Sequence, residues 1–375
     1  MSRKALYALA AVMLTAGLVC AGEDPKDADE PTAVSQEVID GWVGQLGDRS
    51  KTVRDRATAE LVQIGGPAVA AVVPKMESDE EEVRRRAERV LREIERDAAI
   101  ELKKHGAGVG WSREGWLRSV SFKNHPGNGP VKDPGARYLQ GLVHLERLQL
   151  YDTEIKDEDL VYLRGMTKLH SLQLYDTPIS DEGLVHLSGL TSLRSVDLSN
   201  SNVTGTGLVH LKALPALTAL SLRGPNVTAR SFAAVANLTN LRTLGVGGRD
   251  FTDAALEHVR GLVNLQGLEI HDARITDDGL AHLSKLVNLL HLSVESNAIT
   301  DRAVEQLVQL KSLGNLTLQG TRVTAAGLHG LSTLPNLRRV CVNYTPCSEK
   351  ELAELRNALP GVHVVYPKTP KPRRR

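Results

Sequence analysis

Leucine recurs along this chain at a constant interval. Leu169, Leu193, Leu217, Leu241, Leu265, Leu289, Leu313 and Leu337 stand 24 residues apart, and Leu145 lies one period earlier. Each unit has two halves. In the first, apolar residues alternate with polar or small ones, as at Leu265, Leu268 and Ile270, which is the pattern of a short strand with one buried face. The second opens on a hydroxyl and an acid, as at Thr276-Asp277, and then sets apolar residues three apart at Leu280, Leu283 and Leu286. That predicts a short helix, capped by the hydroxyl, with its carboxylate at the positive end of the helix dipole. Ser348 and Glu351 predict a full capping box. One unit cannot bury so many apolar side chains alone, but stacked units can. The period therefore predicts a curved parallel array, strands inside and helices outside.

The recurring motif is LxxLxLxx(T/N)x(I/V)(T/S)D, and its nine consecutive copies resemble the leucine-rich repeat family. The closest likeness is to its ribonuclease-inhibitor-like and F-box-receptor-like units. The resemblance runs from Trp116 to Tyr366 and implies an α/β leucine-rich-repeat solenoid. No F-box precedes the repeats, so the receptor function is not carried over. The chain departs from the family at the place usually held by Asn, occupied here by Thr153, Thr177, Ser201, Pro225, Arg249, Ala273, Asn297, Thr321 and Thr345. Hydroxyls partly replace an Asn ladder; Pro225, Arg249 and Ala273 do not, which predicts an irregular middle.

Ahead of the array, residues 35–105 change character. VRDRATAELVQI from Val53 returns thirty residues later as VRRRAERVLREI from Val83, with Ala57, Leu61 and Ile64 matched by Ala87, Leu91 and Ile94. The spacing is helical, and Gly65-Gly66-Pro67 separates two helices. This stretch resembles a HEAT-type helical repeat, closed at its open end by Ile39 and Trp42, and so a small all-α domain before the solenoid. Charges alternating in sign over 79–96 read as a solvated helix face. Residues 106–116 read as a glycine-rich joint. GAGVG within it follows a helix and lacks the spacing of a nucleotide loop. Trp111 and Trp116 are expected to cover the first unit of the 117–366 array, which carries an insertion at 125–129.

The chain ends add context. Residues 1–21 read as a signal peptide: Arg3 and Lys4, an uncharged run, then Val19-Cys20-Ala21 before Gly22. The alternatives are an uncleaved anchor or lipidation at Cys20, for which Gly17-Leu18-Val19 makes a poor lipobox. Each reading places the body outside the cytoplasm, in the periplasm, on the cell surface or secreted, and touches a membrane only through the N-terminus. Residues 22–34 are acidic and read as a disordered spacer, and 367–375 as a basic disordered tail.

Composition and charge narrow the function. The formal charge is +1 over 375 residues, falling to −1 without Arg3 and Lys4, which gives no footprint for nucleic acid. HExxH, GxSxG, P-loop and CxxC patterns are all absent from the sequence, so neither catalysis nor a cofactor is expected. Cys341 and Cys347 fall on opposite faces of the repeat frame and are expected as separate thiols. A column of His186, His210, His258 and His282, continued by Tyr162, reads as half-exposed rings beside the buried convex leucines. Sequons such as Asn202-Val203-Thr204 arise largely from the repeat itself.

The candidate site is the concave face, where strand residues between the leucines point. It is expected to carry Arg147, Gln149, Tyr151 and Asp152; Gln173, Tyr175 and Asp176; Asp197; Arg223; and Glu269, His271, His291 and Glu295. Tyr151-Asp152 and Tyr175-Asp176 fall on neighbouring strands, and exposed tyrosines are frequent binding anchors. Glu269, His271, His291 and Glu295 cluster further on, as a polar ligand patch or, less favoured, a metal site. The expected partner is a protein of unknown identity. A glycan or cell-wall polymer, or a role as structural spacer in an envelope assembly, are the alternatives.

Overall fold

The computed structural model describes residues 34–122, 130–296 and 298–366, without the side chains of Ala229 and Arg230. The leader, nearly all of the spacer, the 125–129 insertion, Asn297 and the tail lie outside the described residues.

The chain begins with helices: α1 (Gln36–Gly44), α2 (Lys51–Ile64), a broken helical stretch over 66–77, and α3 (Glu81–Lys104). Gly65 takes a left-handed φ of 72° and Pro67 follows, which ends α2 and restarts the chain. Ile39, Leu61, Val72, Ala87 and Leu91 form the core here, with Trp42 packed against it. Among the described residues no single helix is long and apolar enough to cross a membrane.

Among the described residues, twelve strands follow in one sheet, in sequence order. They are β1 (Ala107–Trp111), β2 (Leu117–Phe122), β3 (Arg147–Gln149), β4 (Ser171–Gln173), β5 (Ser195–Asp197) and β6 (Ala219–Arg223). Next come β7 (Thr243–Gly247), β8 (Gly267–His271), β9 (His291–Glu295), β10 (Asn315–Gln319), β11 (Arg339–Cys341) and β12 (His363–Val365). The stretch expected as a joint is thus partly a strand: β1 pairs antiparallel with β2, and every later pair is parallel. Leucines facing the other way fill a continuous core; Leu265, Leu268, Ile270, Ile275, Leu280, Leu283 and Leu286 of one unit are all at most 1% exposed. Removing one such side chain to Ala costs about 2–5 kcal/mol. The outer face is built of 3₁₀ segments such as Gly183–Leu187 and, later, α-helical turns such as Asp253–Val259. Strands pack near 4.8 Å and helices at 8–10 Å, so the sheet lies inside the curve.

The helical part and the array are welded together. Ala98, Ala99 and Leu102 of α3 belong to the array's core, and Trp116 to the helical one. Trp116 lies between the guanidinium of Arg92, 4.2 Å from its ring, and the ring of His144, 3.8 Å away. Trp111, expected beside it, stays 41% exposed. Glu95, expected on a solvated face, is 1% exposed: one oxygen accepts from the Leu117 N–H at 2.8 Å, the other meets His144 Nδ1 at 2.9 Å. The charge pattern hid it because burial there comes from the repeat array rather than from the helix's own periodicity.

The strand ladder in the middle of the array is regular, contrary to expectation. Strands β6, β7 and β8 pair over five residues each, and the backbone bonds Gly224 N–H to Gly247 O and Gly248 N–H to His271 O carry the ladder up to the residues just before Pro225 and Arg249. The hydroxyls at Thr153 and Ser201 bond to a carbonyl three residues back in their own unit. Register is therefore held by backbone, not by that column.

Candidate functional site

The parallel register brings equivalent residues of successive units side by side on the concave face. Gln149 stands beside Gln173 and Gln173 beside Asp197, while Arg147 stands beside Ser171. The Gln149 amide donates to Gln173 Oε1 at 2.8 Å. The Tyr151 and Tyr175 rings stack, centroids 4.8 Å apart and 7° from parallel. Burial pushes the Tyr175 phenol up, with Tyr151, Asp176, Asp197 and Asp152 adding in the same direction. The ring is therefore a neutral hydroxyl donor at physiological pH. Arg147 is exposed at the opposite end of its strand.

Asp152 and Asp176 turn out to have a conformational role that the tyrosine pairing alone did not reveal. Both have left-handed backbones, φ 54° and 55°. The same column continues with Asn200, Gly224, Gly248, Asp272, Gly320 and Tyr344, all at positive φ. Asp, Asn and Gly tolerate that region best. The signal was present in the sequence as Asp, Asn or Gly at seven of the nine places in this column, Ser296 and Tyr344 being the exceptions. The carboxylates nonetheless face solvent: Asp176 accepts from the Asn200 amide at 2.9 Å, and Asp197 accepts from the Ser199 N–H at 3.0 Å.

The second cluster is arranged differently. Arg223 reaches past β7 to Glu269 at 2.9 Å, two strands away. It can do so because Gly245 has no side chain; a Cβ there would lie 3.1 Å from the guanidinium. His271 stands between Glu269, at 3.5 Å, and Glu295, at 3.3 Å, and Gln319 donates to Glu295 at 3.0 Å. His291 does not join the acids; it bonds with the Asn315 amide at 2.7 Å. Among the described residues no group of three or more His, Cys, Asp or Glu is placed to hold a metal ion. Beside this network a hollow of about 460 Å³ opens, lined by Thr243, Gln266, Gly267, Leu290, His291 and Asn315 among others.

On the outer face the hydroxyl and the acid bond mainly between units, though Thr324 also caps its own helix by accepting from the Gly327 N–H at 3.4 Å. Asp277 accepts from the Thr300 N–H and hydroxyl at 2.7 and 2.6 Å, and Asp253 and Asp301 do the same for Thr276 and Thr324. Ser180 bonds in the same way to Asp157. Asp181 gathers the N–H groups of Thr204, Gly205 and Gly207 and two hydroxyls. Burial raises its pKa, but the bonds from Thr204, Gly207, Thr206 and Gly205 outweigh that and hold it below the usual aspartate range. The rung is lost where Gly205 and Ala229 replace the acid, and there Phe232 and Phe251 pack edge to face at 4.8 Å. The helix-capping expectation holds in full at Ser348, whose hydroxyl and backbone exchange bonds with Glu351.

The remaining candidates are quiet. His186, His210, His258 and His282 are all half-exposed. Cys341 and Cys347 are free thiols, and burial raises the Cys347 pKa. Of the sequon asparagines, Asn202 and Asn226 spend their amides on the carbonyls of Pro178 and Ser201.

Residues 189–212 match the family described as leucine rich repeat, and the other units repeat that segment's pattern in register. The array is a leucine-rich-repeat solenoid preceded by a helical region. No curated protein matches the chain. Among solved structures it is similar to an internalin (inlF) from Listeria monocytogenes, with 23% identity, 63% of this chain and 64% of that one covered, and a TM-score of 0.47. It is also similar to the plant peptide hormone receptor RGFR1, solved with RGF2, at 17% identity, 69% and 40% coverage, and a TM-score of 0.40. A leucine-rich-repeat protein of Leptospira interrogans matches at 18%, with 61% and 74% covered and a TM-score of 0.37. The chain spans under two thirds of the matched internalin's length.

Proposed function

We propose that the chain is an exported bacterial protein that recognises another protein through the concave face of its repeat array, without catalysis. The observation that carries this reading is the row of polar and aromatic side chains held on hydrogen-bonded strands and the turns just after them, with the stacked Tyr151–Tyr175 pair toward its N-terminal end. Strands fix those side chains before any partner arrives, which lowers the ordering cost of binding. Tyrosine offers contact area with few torsions to freeze. Export rests on the charged and apolar leader at 1–21, and the helical region at 35–105 is read as a HEAT-like module on the strength of its repeated run.

A photo-crosslinking residue at Gln173, compared with one at His282 on the outer face, tests the site. Crosslinks to one protein from Gln173 alone are expected. Equal crosslinking from both positions, or from His282 alone, overturns the concave assignment. Crosslinks to polysaccharide at Gln173 would favour the glycan reading. Loss of assembly on deleting 35–105, with the concave face dispensable, would favour a spacer.

A further inference from the structure

We propose that the β3–β5 end of the concave face binds a basic segment of its protein partner, seating an arginine side chain on the open face of Tyr175, above Ser199, beside Asp176 and Asp197. This rests on the recognition reading and gives it a partner chemistry.

The first argument is charge. Among the described residues Asp152, Asp176 and Asp197 form no ion pair, whereas Glu269 and Glu295 at the other end are each approached by the chain's own Arg223 or His271. Asp176 and Asp197 each use one oxygen on an internal donor, leaving the other for a ligand. A carboxylate has room for several donors, and a guanidinium offers five.

The second argument is shape. Tyr151 covers one face of the Tyr175 ring, and β4 lies between β3 and β5, so the other face looks toward β5. There the equivalent residue is Ser199, whose backbone oxygen accepts from the Asp176 N–H at 2.9 Å. Its side chain is short. The next residue in the row, Arg223, turns away toward Glu269. With strands about 4.8 Å apart, the gap from Tyr175 to Arg223 spans roughly 10 Å. A planar guanidinium fits such a slot, stacking on the phenol ring while pairing with the acids. An acidic segment is repelled by the same three carboxylates. A neutral sugar could stack on the ring but gains nothing from the charges.

The test uses the purified mature chain and two labelled dodecapeptides, alternating Gly-Arg and alternating Gly-Glu, read by fluorescence anisotropy. The arginine peptide is expected to bind and the glutamate peptide not. Asp176→Asn and Asp197→Asn should each weaken binding by about 1.5- to 5-fold. Asn suits the left-handed backbone at 176, as Asn200 shows one unit on. Tyr175→Leu should weaken it by about 2- to 30-fold. Raising salt should weaken it further. The pair Glu269→Gln and Glu295→Gln should leave it unchanged. Failure of the arginine peptide to bind, or equal loss in the Glu269 and Glu295 variants, overturns the proposal. If Gln173 crosslinks a protein while the arginine peptide fails, recognition stands and the basic partner falls. If the peptide binds as expected and Gln173 captures polysaccharide instead, the cation seat stands and the protein partner falls.

Discussion

The two ends of the concave face carry acids in the same or nearby columns of the repeat, Asp197 and Glu269 sharing one, and treat them in opposite ways. At β8–β10 the chain neutralises its own: Arg223, His271 and Gln319 close around Glu269 and Glu295. At β3–β5 the acids stand beside a tyrosine stack without a basic partner among the described residues. The contrast teaches that a polar row in a repeat array is not uniformly available. Charges already paired hold the surface still; unpaired ones, on the strands and the turns that follow them, are free to meet something else.

The comparison predicts first what the two ends share. Leu172→Ala and Leu268→Ala, both fully buried, should each cost about 2–5 kcal/mol in urea unfolding. A large difference between them would place the contrast in the core rather than on the surface. Asp277→Ala should cost about 1.5–3 kcal/mol, since it strips two bonds to a charged acceptor from Thr300. Asp181 yields a pH dependence. Its folded pKa is depressed, so its contribution is complete above the ordinary aspartate pKa of about 3.9 and fades as pH falls through the lower folded value. Stability near neutrality should not change through this group, and Asp181→Asn should flatten the acid limb of the profile. The smallest effect is the most pointed: Arg223→Ala should alter stability by less than about 1 kcal/mol, because the pair is partly exposed. It should also make the second end a weak binder of the arginine peptide by freeing Glu269, measurable as a second, salt-sensitive site.

Much of this architecture was legible in the sequence because a period of leucines can be satisfied by only one kind of stacking. Leu268, Ile270 and Leu280 lie where the pattern puts them. What escaped were roles defined between units. Thr276-Asp277 reads identically as a local cap and as two halves of neighbouring rungs, and only the three-dimensional register separates them. Asp152 and Asp176 looked like ligand groups until the backbone showed them in a column with Asn200 and Gly224. Their turn role and their free charge coexist. His291 was grouped with the acids because it falls on the strand next to Glu269 and His271, but its ring pairs with Asn315. Arg223 and Glu269 are 46 residues apart, linked across the bare backbone of Gly245. Glu95 was hidden because the helical part and the array bury it jointly.

Hydrogen–deuterium exchange with and without the arginine dodecapeptide tests the central claim most directly. The account predicts protection confined to 171–177 and 195–200, lost in Asp176→Asn/Asp197→Asn. Protection centred on β8–β10 instead, or unchanged in that double variant, would contradict it.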